Sequence, residues 1–286
     1  MTRRVRMESN AARCRADPPI VRLFTLAVEV MTVLSPIPTG AREAVLVVGH
    51  RGNAAYAPEN TLVSYRQADE LGADLAECDV RLTADGQVVL MHDGAVDRTT
   101  DGTGNLSDTT LADVRKLDAG SWKGAEYAGE RVPTLAQLLA PAQRLRLQIV
   151  IEIKAPGAAQ RVVDVIRARR AVERCVVISF DRDTANAAKR IEPGLPCLWL
   201  MGDVPMTLAE QRELVHLAVA DGLSGLNVAH HAVTSDFARI AHSRGLALWA
   251  WTANEPTDWQ RLADIGVDAI TTDRPGELRR WRLGEP

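Results

Sequence analysis

From Val45 onward the chain alternates short apolar runs with longer stretches in which apolar residues recur every three or four positions. The runs read VLVVGH, LAECDV, VVLMHD, LQIVIEIK, CVVISF, LPCLWL, LSGLNV, LALWAWT and DAITTD. Near-continuous apolar runs of this length predict strands buried on both faces, as in a parallel sheet covered by helices. Helical spacing fills most of the intervals, over 59–72, 158–170, 184–191, 208–220, 235–244 and 257–265. One run stands apart. Only RLTADGQ separates VVLMHD from the strand before it, too few residues for a helical crossover, and Asp85-Gly86 is a hairpin signal. A two-residue turn there sets Asp79 opposite His92 on one face of an antiparallel pair. The eight remaining runs, spread over about 240 residues, predict an α/β fold of the (β/α)8 TIM-barrel type. Neither a GxGxxG nor a P-loop string occurs, which argues against a dinucleotide-binding sheet.

The barrel is bounded at 44–280, with a tail over 281–286. Inside it, the segment 93–133 is rich in Gly, Asp and Thr and too long for an ordinary barrel loop. Val114, Leu117, Trp122 and Tyr127 give it residues to pack with, so it reads as a small insertion over the barrel mouth, after the second-strand hairpin. Residues 1–43 differ. An arginine-rich start precedes IVRLFTLAVEVMTVLSPIPTGA, whose apolar character Arg22 and Glu29 interrupt. What remains uninterrupted is too short for a membrane span and makes a poor signal peptide. The expectation is a poorly ordered N-terminal extension, no integral membrane span and, by default, a cytoplasmic location. Met31 would begin a tidier chain just ahead of the first strand.

Bulk properties narrow the classes. The 286 residues are 46% hydrophobic and 25% charged, with a formal net charge of −3. A nucleic-acid binder would normally carry a basic excess, so none is expected as a partner. Cys14, Cys78, Cys175 and Cys197 show no CxxC spacing, which favours reduced, buried thiols over a disulfide framework. Oligomeric state is not legible from the sequence.

Chemistry concentrates where a barrel of this type builds its active site, at the C-terminal ends of the strands. Reading those ends in order gives His50 and Arg51, Glu77 and Asp79, then Glu152 and Lys154; the hairpin adds His92 and Asp93. Later strands contribute Ser179-Phe180, Asn227, Trp251-Thr252 and Asp273. Glu77 and Asp79, two apart on one strand, point the same way, and Glu152 arrives from the next barrel strand. Two readings fit these carboxylates. They hold a hard divalent cation, Mg²⁺ or Ca²⁺ by ligand type, or they ion-pair with Arg51, Arg81 and Lys154. Arg51 can grip two phosphate oxygens and Lys154 can add a point charge, which suits an anionic ester. His50 and His92 then read as an acid and a base, since imidazole titrates near working pH. Phe180 and Trp251 are candidates to line a slot for glycerol or a choline head group, with barrel packing as the alternative; for Trp199 packing is the better reading. Asn60 is read either as a brace for the loop after the first strand or as a helix cap. His216, His230, His231 and His242 sit in helical or loop contexts and are read as structural.

The strings GHRGNAAYAPENT, ECDVRLTADGQVVLMHD, DRTTDGTG, IEIK and WTAN followed by GVDAITTDRP resemble the glycerophosphodiester phosphodiesterases, from about Val45 to Pro275. The resemblance implies a metal-dependent barrel that hydrolyses glycerophosphodiesters to sn-glycerol 3-phosphate and an alcohol, an activity of glycerol and lipid metabolism. It implies metal binding at Glu77, Asp79 and Glu152, catalysis by His50 and His92, and phosphate contacts from Arg51 and Lys154. The family's small insertion after its HD motif matches the segment 93–133. Two alternatives stand beside this reading: a lysophospholipase D acting on lipid substrates, and a barrel that binds phosphodiesters without turning them over.

Overall fold

The computed structural model describes residues 45–202 and 207–285. The expectations for residues 1–43, and for Cys14, lie outside them. Among the described residues, eight strands pair in parallel: β1 (Leu46–Gly49), β2 (Leu75–Leu82), β4 (Gln148–Ile153), β5 (Cys175–Ser179), β6 (Cys197–Met201), β7 (Gly225–Ala229), β8 (Ala247–Trp251) and β9 (Ala269–Thr272). β9 returns to β1 and β1 pairs with β2, so the sheet closes into a (β/α)8 barrel. A ninth strand, β3 (Val88–Leu90), lies antiparallel on β2.

Strand alternation makes two cores. Leu75, Val150, Val176, Ile178, Leu198 and Trp249 meet inside the barrel. Ala76, Cys78, Val80, Ile149, Ile151 and Val177 point outward into a larger core beneath the helices. Those helices are α1 (Leu62–Glu70), α4 (Ala159–Ala168), α5 (Arg182–Ile191), α6 (Leu208–Ala220), α7 (Ser235–His242), α8 (Pro256–Ile265) and α9 (Pro275–Leu283). In α4 the buried residues Ala159, Val162, Val163 and Ile166 recur at the spacing of one helical face. None of the described helices is long and apolar enough to cross a membrane.

The last helix departs from the sequence reading. α9 continues to Leu283, so the tail boundary drawn after residue 280 falls inside an element. It buries few residues, chiefly Pro275, Gly276 and Leu278, and its Trp281 ring packs 6.0 Å from that of Trp259. So short an apolar stripe gives little periodicity to read.

The hairpin is present, but its register is shifted by one. Leu82 pairs with Val88, Arg81 with Val89 and Val80 with Leu90. The turn has three residues, Ala84, Asp85 and Gly86, closed by Thr83 N–H donating to Gln87 O at 3.0 Å. Gly86 sits at φ +73°, the left-handed position that makes a three-residue turn possible. Met91, not His92, therefore faces Asp79, its N–H donating to Asp79 O at 3.0 Å. Beyond this point the strand ends, and Arg81 Nε donates to His92 O at 2.8 Å, holding the chain against β2.

The segment after the hairpin packs against the hairpin's Val89 and Met91 in a small core completed by Val96, Leu106, Val114, Ala119 and Val132. It includes the short helix α2 (Leu111–Val114), and α3 (Leu135–Leu138) follows it. It is tied to the loop after β1 by Lys123 Nζ donating to Ala54 O at 2.7 Å and Tyr127 Oη donating to Tyr56 O at 2.8 Å. Cys78, Cys175 and Cys197 are buried and free, and burial pushes the thiols of Cys175 and Cys197 up to about 12.

Candidate active site

The same alternation that fills the barrel with Leu75 and Val150 carries Glu77, Asp79 and Glu152 inward above them. Asp79 and Glu152 are directly paired across β2 and β4. One carboxylate oxygen from each of the three lies within 4.8 Å of the others. All three are buried, at 3%, 0% and 6% exposure, where charged groups normally require partners. Some partners are there. Lys154 Nζ lies 2.7 Å from Glu152 Oε1 and 3.2 Å from Asp79 Oδ1, and Arg51 Nε lies 3.2 Å from Asp79 Oδ2. Arg81, the third cation considered for ion pairing, is engaged with the backbone of His92 instead.

Electrostatics divides the three acids. Burial, followed by the charges of Asp79 and Glu152, drives the Glu77 carboxyl well above the usual range. Glu152 is pushed up to about 7, by burial first and Asp79 second. Burial also works against Asp79, yet Lys154 and Arg51 outweigh it and hold this carboxyl below its ordinary value. Glu77 Oε1 is buried with no hydrogen-bond partner, while Oε2 accepts from the Arg51 N–H at 2.9 Å. A buried carboxylate oxygen left open beside two others is the donor set of a hard divalent cation.

The loop after β1 explains why a buried strand ends in Gly-His-Arg-Gly. A side chain at Gly49 would put its Cβ 2.2 Å from Gly52 O, so only glycine permits so tight a reversal. Arg51 at φ +49° and Asn60 at φ +58° occupy the left-handed region, which non-glycine residues enter at a cost. Surrounding bonds hold them there. Asn60 N–H donates to Arg51 O at 3.1 Å and Ser64 Oγ donates to the same oxygen at 2.9 Å. Asn60 is a brace rather than a cap. Its Nδ2 donates to Asp79 Oδ2 at 2.8 Å, while its Oδ1 accepts from Asp79 N–H and from Tyr65 Oη. Thr61 caps α1.

Each mouth histidine is held through Nδ1 by a carboxylate. His50 Nδ1 lies 2.7 Å from Asp273 Oδ1, and His92 Nδ1 lies 2.6 Å from Asp93 Oδ1. An ionised carboxylate can only accept, so Nδ1 carries the proton and Nε2 is the nitrogen left for chemistry. Asp273 is fixed in turn by Asn254, whose Nδ2 donates to Asp273 Oδ2 at 2.6 Å and whose Oδ1 accepts from Asp273 N–H at 2.8 Å. Burial, aided by Arg51 and Lys154, lowers the His92 pKa against the opposing pull of Asp79 and Asp93. Despite the register shift, His92 therefore lies within the field of the acidic cluster. The sequence alone assigns no role to Asp273, Asp93, Asn254, Glu59 or Arg98. The signals were present in WTAN, PENT and DRTT; a partner's identity was not.

At the rim, Phe180 and Trp251 pack edge to face with ring centroids 5.4 Å apart, and Lys154 Nζ lies 5.7 Å from the Phe180 ring. Phe180 is 47% exposed. Trp199 is packed, donating from Nε1 to Phe180 O at 3.3 Å beneath the Arg182 guanidinium.

Buried acids, two cations and two carboxylate-held histidines thus meet at one mouth of the barrel. Residues 50–277 match the model of the glycerophosphoryl diester phosphodiesterase family. The chain belongs to that family. It is 35% identical to the glycerophosphodiester phosphodiesterase of Caldanaerobacter subterraneus over 240 residues, covering 82% of this chain and 96% of the relative. It is 30% identical to the glycerophosphodiester phosphodiesterase of Bacillus subtilis, covering 93% and 98% of the two chains. Among solved structures, an Oleispira antarctica phosphodiesterase in complex with the product sn-glycerol-3-phosphate superposes with a TM-score of 0.73 at 29% identity, covering 82% of this chain and 96% of that one. As a member of this family, the protein is an enzyme.

Proposed function

We propose that the protein hydrolyses glycerophosphodiesters to sn-glycerol 3-phosphate and an alcohol with a divalent cation, Mg²⁺ or Ca²⁺, held by Glu77, Asp79 and Glu152. Charge balance is the observation that carries this reading. Three carboxylates face Lys154 and Arg51, so the ionised cluster is one negative charge in excess before an anionic diester enters. Protonation at Glu77 or Glu152 relieves that excess without a metal, whereas a divalent cation relieves it with all three carboxylates ionised and places its charge where a phosphoryl oxygen can meet it. When bound, the cation supplies charge neutralisation and polarisation at a phosphoryl oxygen.

The remaining work falls to side chains. Arg51 and Lys154 take the phosphate oxygens. One of the two histidines, through Nε2, removes a proton from the attacking oxygen as the new P–O bond forms. The other delivers a proton to the departing alcohol oxygen as the old P–O bond breaks. The attacking oxygen belongs to water, or to a glycerol hydroxyl that first closes a cyclic phosphate which water then opens. Asp273 and Asp93 fix the tautomer each ring needs. Phe180 and Trp251 line the slot for glycerol or the released alcohol. The product-bound Oleispira relative supports sn-glycerol 3-phosphate as the product here.

Assaying purified protein on glycerophosphocholine, glycerophosphoethanolamine and lysophosphatidylcholine, with products identified, tests the reading. The free glycerophosphodiesters should turn over fastest. Preference for lysophosphatidylcholine would make the enzyme a lysophospholipase D, and binding of any of them without turnover would make it a binding protein.

Metal binding should release protons. A carboxyl must be ionised to ligate, so affinity for Mg²⁺ or Ca²⁺ should rise with pH through about 7, where Glu152 titrates in the empty site. Calorimetric titration in buffers of different ionisation heat should count more protons released at pH 6 than at pH 8.5. Equal affinity and no release at both would mean the acids are not the ligands.

A further inference from the structure

Glu59 and Arg98 lie 39 positions apart and have no place in the reaction described above. Arg98 belongs to the segment between the hairpin and α3, and every nitrogen of its guanidinium is engaged. NH1 and NH2 donate to Glu59 Oε2 and Oε1, each at 2.8 Å, while Nε donates to Asp93 Oδ2 at 2.5 Å. Both acceptors lead inward. The other oxygen of Asp93 holds His92 Nδ1 at 2.6 Å. Glu59 Oε1 also accepts from Arg51 NH1 at 2.8 Å. One guanidinium thus joins the carboxylate that orients a histidine to the carboxylate that orients the phosphate-facing arginine.

Stability alone does not account for this arrangement. The pair adds some stability, since Glu59 is only 11% exposed and gripped at both oxygens, but the Arg98 side chain is 45% exposed and solvent screens much of that gain. A two-pronged carboxylate grip does fix direction, because a planar fork meets a planar carboxylate in one orientation. Without it, Glu59 would keep only Arg51 as a cationic partner and draw that guanidinium away from incoming phosphate. Asp93 would lose the donor that sets its plane, and the His92 ring would swing with it.

We propose that Arg98 is a positioning residue for the phosphodiesterase reaction, aligning His92 through Asp93 and Arg51 through Glu59. The proposal rests on the roles given to His92 and Arg51 above, and its test separates the two. Arg98→Ala should lower kcat roughly 10- to 100-fold, the scale of an ångström's misplacement of a reacting group, and should raise KM for the diester. Added guanidinium ion at millimolar concentration should recover part of the lost kcat, which a merely structural role would not allow. Arg98→Lys keeps the charge without the fork and should still lose roughly tenfold; it also serves if the alanine variant melts early. Combining Arg98→Ala with Asp93→Asn should cost less than the two losses multiplied, since both act through His92. The proposal is overturned if Arg98→Lys and Arg98→Ala keep wild-type kcat and KM while His92→Ala is crippled. It is equally overturned if the alanine variant is crippled but guanidinium recovers nothing and the double-variant losses multiply. If His92→Ala itself retains full turnover, the reading of the active site fails and this proposal fails with it.

Discussion

Replacing His50 or His92 by alanine should each lower kcat by roughly 10²- to 10⁴-fold, the range of general acid–base catalysis. In barrier terms this is about 3–5 kcal/mol of transition-state stabilisation lost per residue. The expectation follows from how the rings are held. Each has Nδ1 committed to a carboxylate, Asp273 or Asp93, leaving the opposite nitrogen for the substrate. Both side chains are partly exposed, at 20% and 32%, so their removal should leave the barrel folded. Steady-state kinetics with a melting curve for each variant checks this. Near-wild-type kcat in either variant would remove that histidine from the mechanism. The pair also has an expected asymmetry. An activated leaving group needs no proton, so a nitrophenyl diester should spare whichever variant lacks the acid and leave the other impaired.

The barrel was legible because its signal is repeated eight times. Strands such as Cys175–Ser179 are buried on both faces, and periodic helical stretches separate most of the apolar runs, so the pattern tolerates errors at any one element. The acids were legible for a related reason. Glu77, Asp79 and Glu152 break apolar runs at inward positions, where a charge is costly enough to require a purpose. The hairpin register was not legible from Asp85-Gly86 alone, because a glycine suits the second place of a two-residue turn and the third place of a longer one. Thr83 decides between them by bonding Gln87 through both backbone and hydroxyl, a choice visible only once the strands are paired. α9 left a fainter trace. Pro275 at its start and Gly284 after its end mark a helix, but PGELRRWRL has too few apolar residues to show a face. Contacts such as Arg98 to Glu59, or His50 to Asp273 across the barrel seam, depend on three-dimensional closure. No local spacing encodes them.

Loss of the cation should have the largest effect of all. In its absence Glu77 and Glu152 are pushed toward protonation by burial and by Asp79, and the site that remains lacks the concentrated divalent charge that would polarise a phosphoryl oxygen of the diester. Arg51 and Lys154 cannot replace it, since both already lean on Asp79. Glu152→Gln removes one charged oxygen and should weaken metal binding roughly tenfold or more, because even changes to outer-shell partners cost about 10- to 100-fold. The direct measurement is phosphorus NMR of glycerophosphocholine incubated with metal-stripped protein, before and after Mg²⁺ or Ca²⁺ is restored. The diester resonance should persist in the stripped sample and give way to sn-glycerol 3-phosphate once metal is added, with Glu152→Gln requiring more metal for the same rate. Hydrolysis at the full rate by the stripped protein would show that the carboxylate cluster serves ion pairing, and that the account of this active site is wrong.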